Sequence, residues 1–222
     1  MKVLAISKKP EALVFDLDNT LYTNPGYAAF QEEALVERLG RELGIGSEAA
    51  AARIAALRAE RAAAGLGKTS LGRLFSVLGI EMATSVRWRE ECFEPAEWLP
   101  RDPRLDRALE ALARLFSIAL VTNNPRLVGE KSLDALGVRA RFSAIIGLED
   151  SSAGKPALEP FSLVAARLGL PTSSCVSVGD RFDVDLAPAM ELGMGAILVD
   201  GVEDVYRLPE LFAEAGAILA AD

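Results

Sequence analysis

The chain has 222 residues, half of them hydrophobic and a quarter charged, a balance that suits a globular protein with a sizeable core. Its 24 Lys and Arg against 32 Asp and Glu give a net charge of −8, which argues against gripping nucleic-acid phosphates or anionic membranes. It contains no histidine, which removes Ser-His-Asp and Cys-His catalysis, His-ligated zinc and any imidazole base.

In chain order, Met1–Ile6 is too short an apolar run for a signal peptide, and Lys8-Lys9-Pro10 interrupts it. No stretch of about 20 apolar residues could span a bilayer, so a reducing cytoplasm is the expected setting. Five short apolar runs read as buried parallel strands: Ala12–Phe15, Ile118–Val121, Ala144–Ile146, Cys175–Val178 and Ala196–Val199. Helix-like segments lie between them, at Pro103–Phe116, Pro125–Leu136, Pro160–Leu168 and Val184–Leu192. Prolines near their starts and Gly137, Gly169 and Gly193 after their ends fit helix punctuation. The alternation predicts an α/β fold, a doubly wound parallel, Rossmann-like sheet with helices on both faces. The two cysteines, Cys92 and Cys175, form no CxxC pattern, and Cys175 reads as a buried thiol.

One interval is too long. A strand–helix–strand unit takes about 30 residues, yet roughly 100 separate the first strand from the second. The surplus is helical, at Tyr27–Leu43, Glu48–Ala64, Leu71–Leu78 and Ala83–Cys92. Between Ala49 and Ala64 ten of sixteen residues are alanine, the best helix former, and the interspersed Arg and Glu suit a solvated face. The prediction is an α/β core of residues 1–21 and 100–222 with an inserted all-helical cap domain at 22–99. Trp88 and Trp98 are expected to pack within that cap.

Ligands of such sheets bind beyond the carboxyl ends of the strands. After the first strand comes Asp16-Leu17-Asp18-Asn19-Thr20, and after the second Thr122-Asn123-Asn124. Gly154-Lys155-Pro156 follows the third, and Gly179-Asp180, Asp183 and Asp185 follow the fourth. Converging carboxylates repel unless a cation sits among them, and an all-oxygen set favours Mg²⁺. A lysine, a threonine hydroxyl and backbone N–H groups can hold phosphate oxygens. A carboxylate can also serve as nucleophile through an acyl phosphate, which needs no histidine. Each signal is commonplace alone, and their joint occurrence in order is what carries weight.

These motifs resemble those of the haloacid dehalogenase-like hydrolase superfamily. Val14-Phe15-Asp16-Leu17-Asp18-Asn19-Thr20-Leu21 looks like its first motif and Leu120-Val121-Thr122-Asn123 its second. Gly154-Lys155-Pro156 looks like the third, and Val178-Gly179-Asp180 with Asp185 the fourth. Arg181 and Pro188 depart from the usual residues there; Asp183 offers a competing acid, and spacing favours Asp185. The resemblance implies Asp16 as nucleophile and Mg²⁺ ligand, and Asp18 as general acid/base, binding the metal through its backbone carbonyl. It implies Thr122 and the Asn123 backbone as phosphoryl contacts, and Lys155 as the charge between nucleophile and phosphate. Asp180 completes the metal site, with Asp185 in support.

Gly65-Leu66-Gly67-Lys68-Thr69 is no phosphate-binding P-loop, because that pattern needs glycine where Ala62 stands and a strand before it. It is expected to be a turn between cap helices, with Lys68 and Thr69 as candidate specificity residues. The expected activity is a Mg²⁺-dependent phosphatase acting on a small phosphorylated metabolite, as a monomer or homodimer. Asp18 argues against a haloacid dehalogenase, which in this family lacks the second aspartate. A sugar-phosphate mutase of the same superfamily is one alternative; a phospho-accepting, receiver-like signalling domain, from a different class, is another.

Overall fold

The computed structural model describes residues 1–6, 9–65 and 70–219. Contacts divide the chain into two compact units, Met1–Asn24 with Glu94–Asp222, and Pro25–Phe93.

The first unit is built on a six-stranded sheet: β1 (Lys2–Ala5), β2 (Ala12–Phe15), β3 (Ser117–Val121), β4 (Ala144–Ile146), β5 (Cys175–Gly179) and β6 (Gly195–Leu198), in the order β1-β6-β5-β2-β3-β4. The five expected strands are present and parallel to their neighbours. The sheet is not wholly parallel, however. β1 adds an antiparallel edge strand on β6, with Lys2 opposite Leu198. Its side chains are half-buried or exposed, so it lacks the continuous buried apolar run by which the other strands announce themselves.

β2 lies at the centre, and the chain leaves it first towards β3 and β4 and later returns to β5 on its other side. The strand order therefore reverses beside β2, the kind of crevice where open α/β sheets bind ligands. Register sets which residues meet there. Phe15 pairs with Leu120 on one side and Val178 on the other. The next residues along the central strands are Asp16, Val121 and Gly179, at the carboxyl edge of one sheet.

Helices cover both faces. In α5 (Pro103–Ala113), Asp102 caps the start by accepting from the Arg104 and Leu105 N–H groups, each at 2.9 Å. Leu105, Ala108, Leu109 and Leu112 form its buried stripe. α6 (Arg126–Leu136) and α7 (Glu159–Leu168) end at Gly137 and Gly169, whose φ values of +79° and +69° cost glycine little. Ala12, Val14, Ala119, Val121, Phe161 and Val164 are part of one buried cluster, together with Cys175. The segment Val184–Leu192, expected as one helix, is instead a π-type turn at Phe182–Leu186 followed by the short α8 (Ala187–Glu191). Two helices follow the last strand, α9 (Val202–Val205) and α10 (Leu208–Leu219), which strand–helix alternation alone did not call for.

The second unit holds α1 (Pro25–Leu43), α2 (Gly46–Ala63), α3 (Leu71–Val77) and α4 (Met82–Cys92). α1 and α2 pack closely because Gly40 has no side chain; a Cβ there would lie 2.5 Å from the Gly46 carbonyl oxygen. Phe75 and Trp88 meet edge to face at 5.7 Å, joining α3 to α4. Trp98, by contrast, lies in the α/β unit, where its carbonyl accepts from Asn24 Nδ2 at 2.9 Å.

Candidate active site

The site forms at the carboxyl edge of β2, β3 and β5. Asp16 follows β2 directly, and its N–H continues the ladder by donating to the Val178 carbonyl at 2.9 Å. The chain then turns tightly: Leu21 N–H returns to the Leu17 carbonyl at 2.9 Å, and Asn19 takes φ +57°. That left-handed value is uncommon outside glycine, and asparagine tolerates it best. Asp16 and Asp18 are thereby placed on a tight, hydrogen-bonded turn.

Lys155, in the long connection between β4 and α7, reaches back 139 positions. Its ammonium donates to Asp16 Oδ1 at 2.5 Å and to Asp185 Oδ1 at 2.7 Å, and all three side chains are buried. Carboxylate oxygens of Asp16, Asp180 and Asp185 lie within 4.8 Å of one another. Three carboxylates and one ammonium leave two negative charges, which a divalent cation would neutralise. The donors are all oxygen, the preference of hard cations. The residues present therefore fit such an ion.

The electrostatics agree. Burial raises the Asp16 carboxyl to about 7; Asp185 and Asp18 push the same way, and Lys155 opposes them. Asp180 is also raised, by burial and then by Asp185. Burial disfavours the Lys155 ammonium, but Asp16 and Asp185 outweigh that and hold its pKa above the usual lysine value. Positive charge brought to this cluster would stabilise the ionised carboxylates. Adding Mg²⁺ to metal-free protein should accordingly raise Tm, with about 2.7 kcal/mol expected at a hundredfold excess over Kd. Differential scanning calorimetry across a Mg²⁺ series checks it.

Asp185 and Asp183 separate clearly. The π-type turn buries Asp185 and exposes Asp183. Asp185 Oδ2 accepts from the Arg181 N–H at 3.1 Å, and Ser177 Oγ donates to its carbonyl at 2.8 Å. Gly179 makes room for it: a Cβ there would sit 2.5 Å from Asp185 Cβ. Gly179→Ala should therefore displace Asp185, costing about 1–3 kcal/mol of stability and shrinking the Mg²⁺-induced rise in Tm. Thermal unfolding with and without Mg²⁺ measures both.

Thr122 is buried one residue past β3, and its Oγ1 accepts from the Asn124 N–H at 3.1 Å. A hydroxyl accepting in this way still has its O–H to donate. The Asn123 side chain donates from Nδ2 to the Lys155 carbonyl at 3.0 Å, tying the second motif to the third. Its Oδ1 has no hydrogen-bond partner among the described residues. Asp18 is half-buried and is not one of the three converging carboxylates, although its charge acts on Asp16. Its Oδ2 accepts from Asn124 Nδ2 at 2.9 Å, and its Oδ1 from the Tyr22 hydroxyl.

Lys68 and Thr69 lie outside the described residues. The contacts of Thr20, Tyr22 and Asn124 were not anticipated. Thr20 donates to Asp16 Oδ2 at 3.4 Å; it lies inside the first motif, and Tyr22 and Asn124 directly follow the first and second, but residue type alone did not assign their partners.

A haloacid dehalogenase-like hydrolase family model matches residues 10–193. The chain is 28% identical over 188 residues to a glyceraldehyde 3-phosphate phosphatase of Methanocaldococcus jannaschii, covering 83% of this chain and 82% of that protein. It is 33% identical over 196 residues to a phosphoglycolate phosphatase of Salmonella typhimurium, covering 80% and 77%. Among solved structures, a HAD phosphatase from Thermococcus onnurineus has the same fold, with a TM-score of 0.60 at 23% identity over 85% of this chain and 86% of that one. From the acidic cluster at the strand edge and the match along most of its length, the chain belongs to the haloacid dehalogenase-like hydrolases, in their phosphatase branch.

Proposed function

We propose that the chain is a Mg²⁺-dependent phosphatase of small phosphomonoesters that works through an aspartyl phosphate on Asp16. The observation that supports this is the buried Lys155 ammonium held between Asp16 and Asp185, with Asp180 beside them. A lysine there offsets charge between a carboxylate nucleophile and an incoming phosphate dianion. Asp16, Asp180 and Asp185, with the Asp18 carbonyl, would hold Mg²⁺, which would supply further positive charge to the phosphoryl oxygens.

Asp16 attacks phosphorus, forming an acyl phosphate as the bond to the leaving oxygen breaks, and Asp18 delivers a proton to that oxygen. Water then attacks the acyl phosphate while the Asp18 carboxylate takes its proton, releasing phosphate and restoring both aspartates. Thr122, the Asn123 N–H and Lys155 hold the transferring group in place, the main catalytic task in phosphoryl transfer.

In this reading the helical unit Pro25–Phe93 is the cap that chooses substrates, and Lys68 and Thr69 are its candidate specificity residues. The names of the two relatives support a short phosphorylated metabolite bearing a carboxylate or aldehyde. Action in the cytoplasm as a monomer or homodimer, with neither nucleic acid nor membrane as partner, completes the reading. No helix among the described residues is long and apolar enough to cross a membrane.

The test follows phosphate release from p-nitrophenyl phosphate, phosphoglycolate and glyceraldehyde 3-phosphate, with Mg²⁺ or with EDTA. Steady turnover that needs Mg²⁺ is expected. Full activity in EDTA would end the metal assignment. One stoichiometric event per chain would indicate a phospho-accepting receiver instead.

A further inference from the structure

Asp18 differs from Asp16 in what orients it. The Asp16 carboxylate is gripped by a buried ammonium, whereas Asp18 is half-buried and outside the group of three converging carboxylates. The last torsion of an aspartate is broad, so a lone carboxyl would point over a wide arc. Here each oxygen of Asp18 meets a different donor: the Tyr22 hydroxyl at Oδ1 and Asn124 Nδ2 at Oδ2.

Both donors are themselves held. Tyr22 is buried, and its backbone pairs with that of Asp18 in an isolated bridge across the tight turn at Asn19. Asn124 is buried too, and its backbone is engaged at both ends. Its N–H donates to Thr122 Oγ1 at 3.1 Å, and its carbonyl accepts from the Leu148 N–H at 2.9 Å. The amide therefore projects from a fixed frame, the same one that carries Thr122.

We infer that Tyr22 and Asn124 are positioning residues for the acid/base carboxyl of Asp18. Asn124 fixes Asp18 relative to Thr122, and Tyr22 fixes it relative to its own loop. The inference rests on the proposed phosphatase chemistry, in which the Asp18 proton goes to the leaving oxygen. Buried polar donors cost more to keep than apolar residues of similar size unless they are paired, and both pair with this one carboxyl. Loss of either donor leaves the nucleophile and its ammonium in place but lets the proton donor wander. Misplacement of a reacting group by about an ångström costs on the order of 10²-fold in rate.

The leaving group reads this out. p-Nitrophenolate leaves readily without a proton; an alkoxide does not. Tyr22→Phe and Asn124→Ala should each lower kcat/KM for 2-glycerophosphate by about 10–100-fold, and for p-nitrophenyl phosphate by less than about threefold. Across a series of aryl and alkyl phosphates, log kcat/KM should fall more steeply with leaving-group basicity than in wild type, towards the slope of Asp18→Ala. The Mg²⁺-induced rise in Tm should be unchanged. Because kcat/KM reports only through the first irreversible step, the later attack of water does not blur the comparison. Equal losses for every ester, unaltered rates, or a lost response to Mg²⁺ would each overturn the assignment. If Asn124→Ala fails to fold, Tyr22→Phe, which removes a single oxygen, decides alone. A wild-type protein that hydrolyses none of the esters would refute the phosphatase reading before any variant is made. A wild-type enzyme with unsteepened variants would refute the positioning role alone.

Discussion

Asp16→Asn should abolish turnover on every phosphomonoester, by about 10³-fold or more, while the fold survives. Asparagine nearly matches aspartate in shape, so the loop after β2 and its N–H bond to the Val178 carbonyl need not change. An amide oxygen, however, is a poor nucleophile towards phosphorus, and an amide brings one negative charge fewer to the cation. Folding should tolerate the loss, because burial already presses the Asp16 carboxyl towards its neutral form. The measurements are single-turnover phosphate release and circular dichroism. Wild-type protein quenched in acid during turnover should carry labelled phosphate on Asp16, and the variant should carry none. A variant with a native spectrum and more than a few per cent of wild-type rate would place the nucleophile elsewhere.

Lys155→Ala should have the largest effect on stability. The ammonium is buried and bonded to two carboxylates, at 2.5 and 2.7 Å. Its removal leaves Asp16 and Asp185 facing each other with no protein cation between them. Stranding buried charges in this way costs about 3–5 kcal/mol. Urea unfolding of metal-free protein is the direct measurement. Mg²⁺ should recover part of the loss, because it supplies charge to the same oxygens, and the rescue should exceed the Mg²⁺ effect on wild type. Activity should fall for all substrates alike, since every ester presents the same phosphoryl group. A loss confined to some esters would move Lys155 into substrate choice. Stability within about 0.5 kcal/mol of wild type would contradict the buried triad.

The sheet was legible because its strands are buried on both faces. Continuous apolar runs such as Ala12–Phe15 can be read without knowing their partners, and each was followed within a few residues by polar groups. Those runs put Asp16, Thr122, Lys155 and Asp180 each beyond the end of a strand, hence on the carboxyl side of a parallel sheet. β1 was not legible, since its pairing of Lys2 with Leu198 is long-range and its side chains are only partly buried. α10 follows the last strand, where alternation sets no further requirement.

Residue type and order along the chain thus determined the chemistry available: carboxylates and a lysine at strand ends, and no imidazole anywhere. Only the tertiary structure decided which of those groups meet. Asp183 and Asp185 differ by two positions, and a regular helix would have left the choice to spacing. The π-type turn changes the angular step, burying one and exposing the other. Asp18 meets Asn124 across 106 positions because β2 and β3 lie side by side in a given register. Local propensity acts over a few residues, whereas the directions of buried donors depend on the whole sheet.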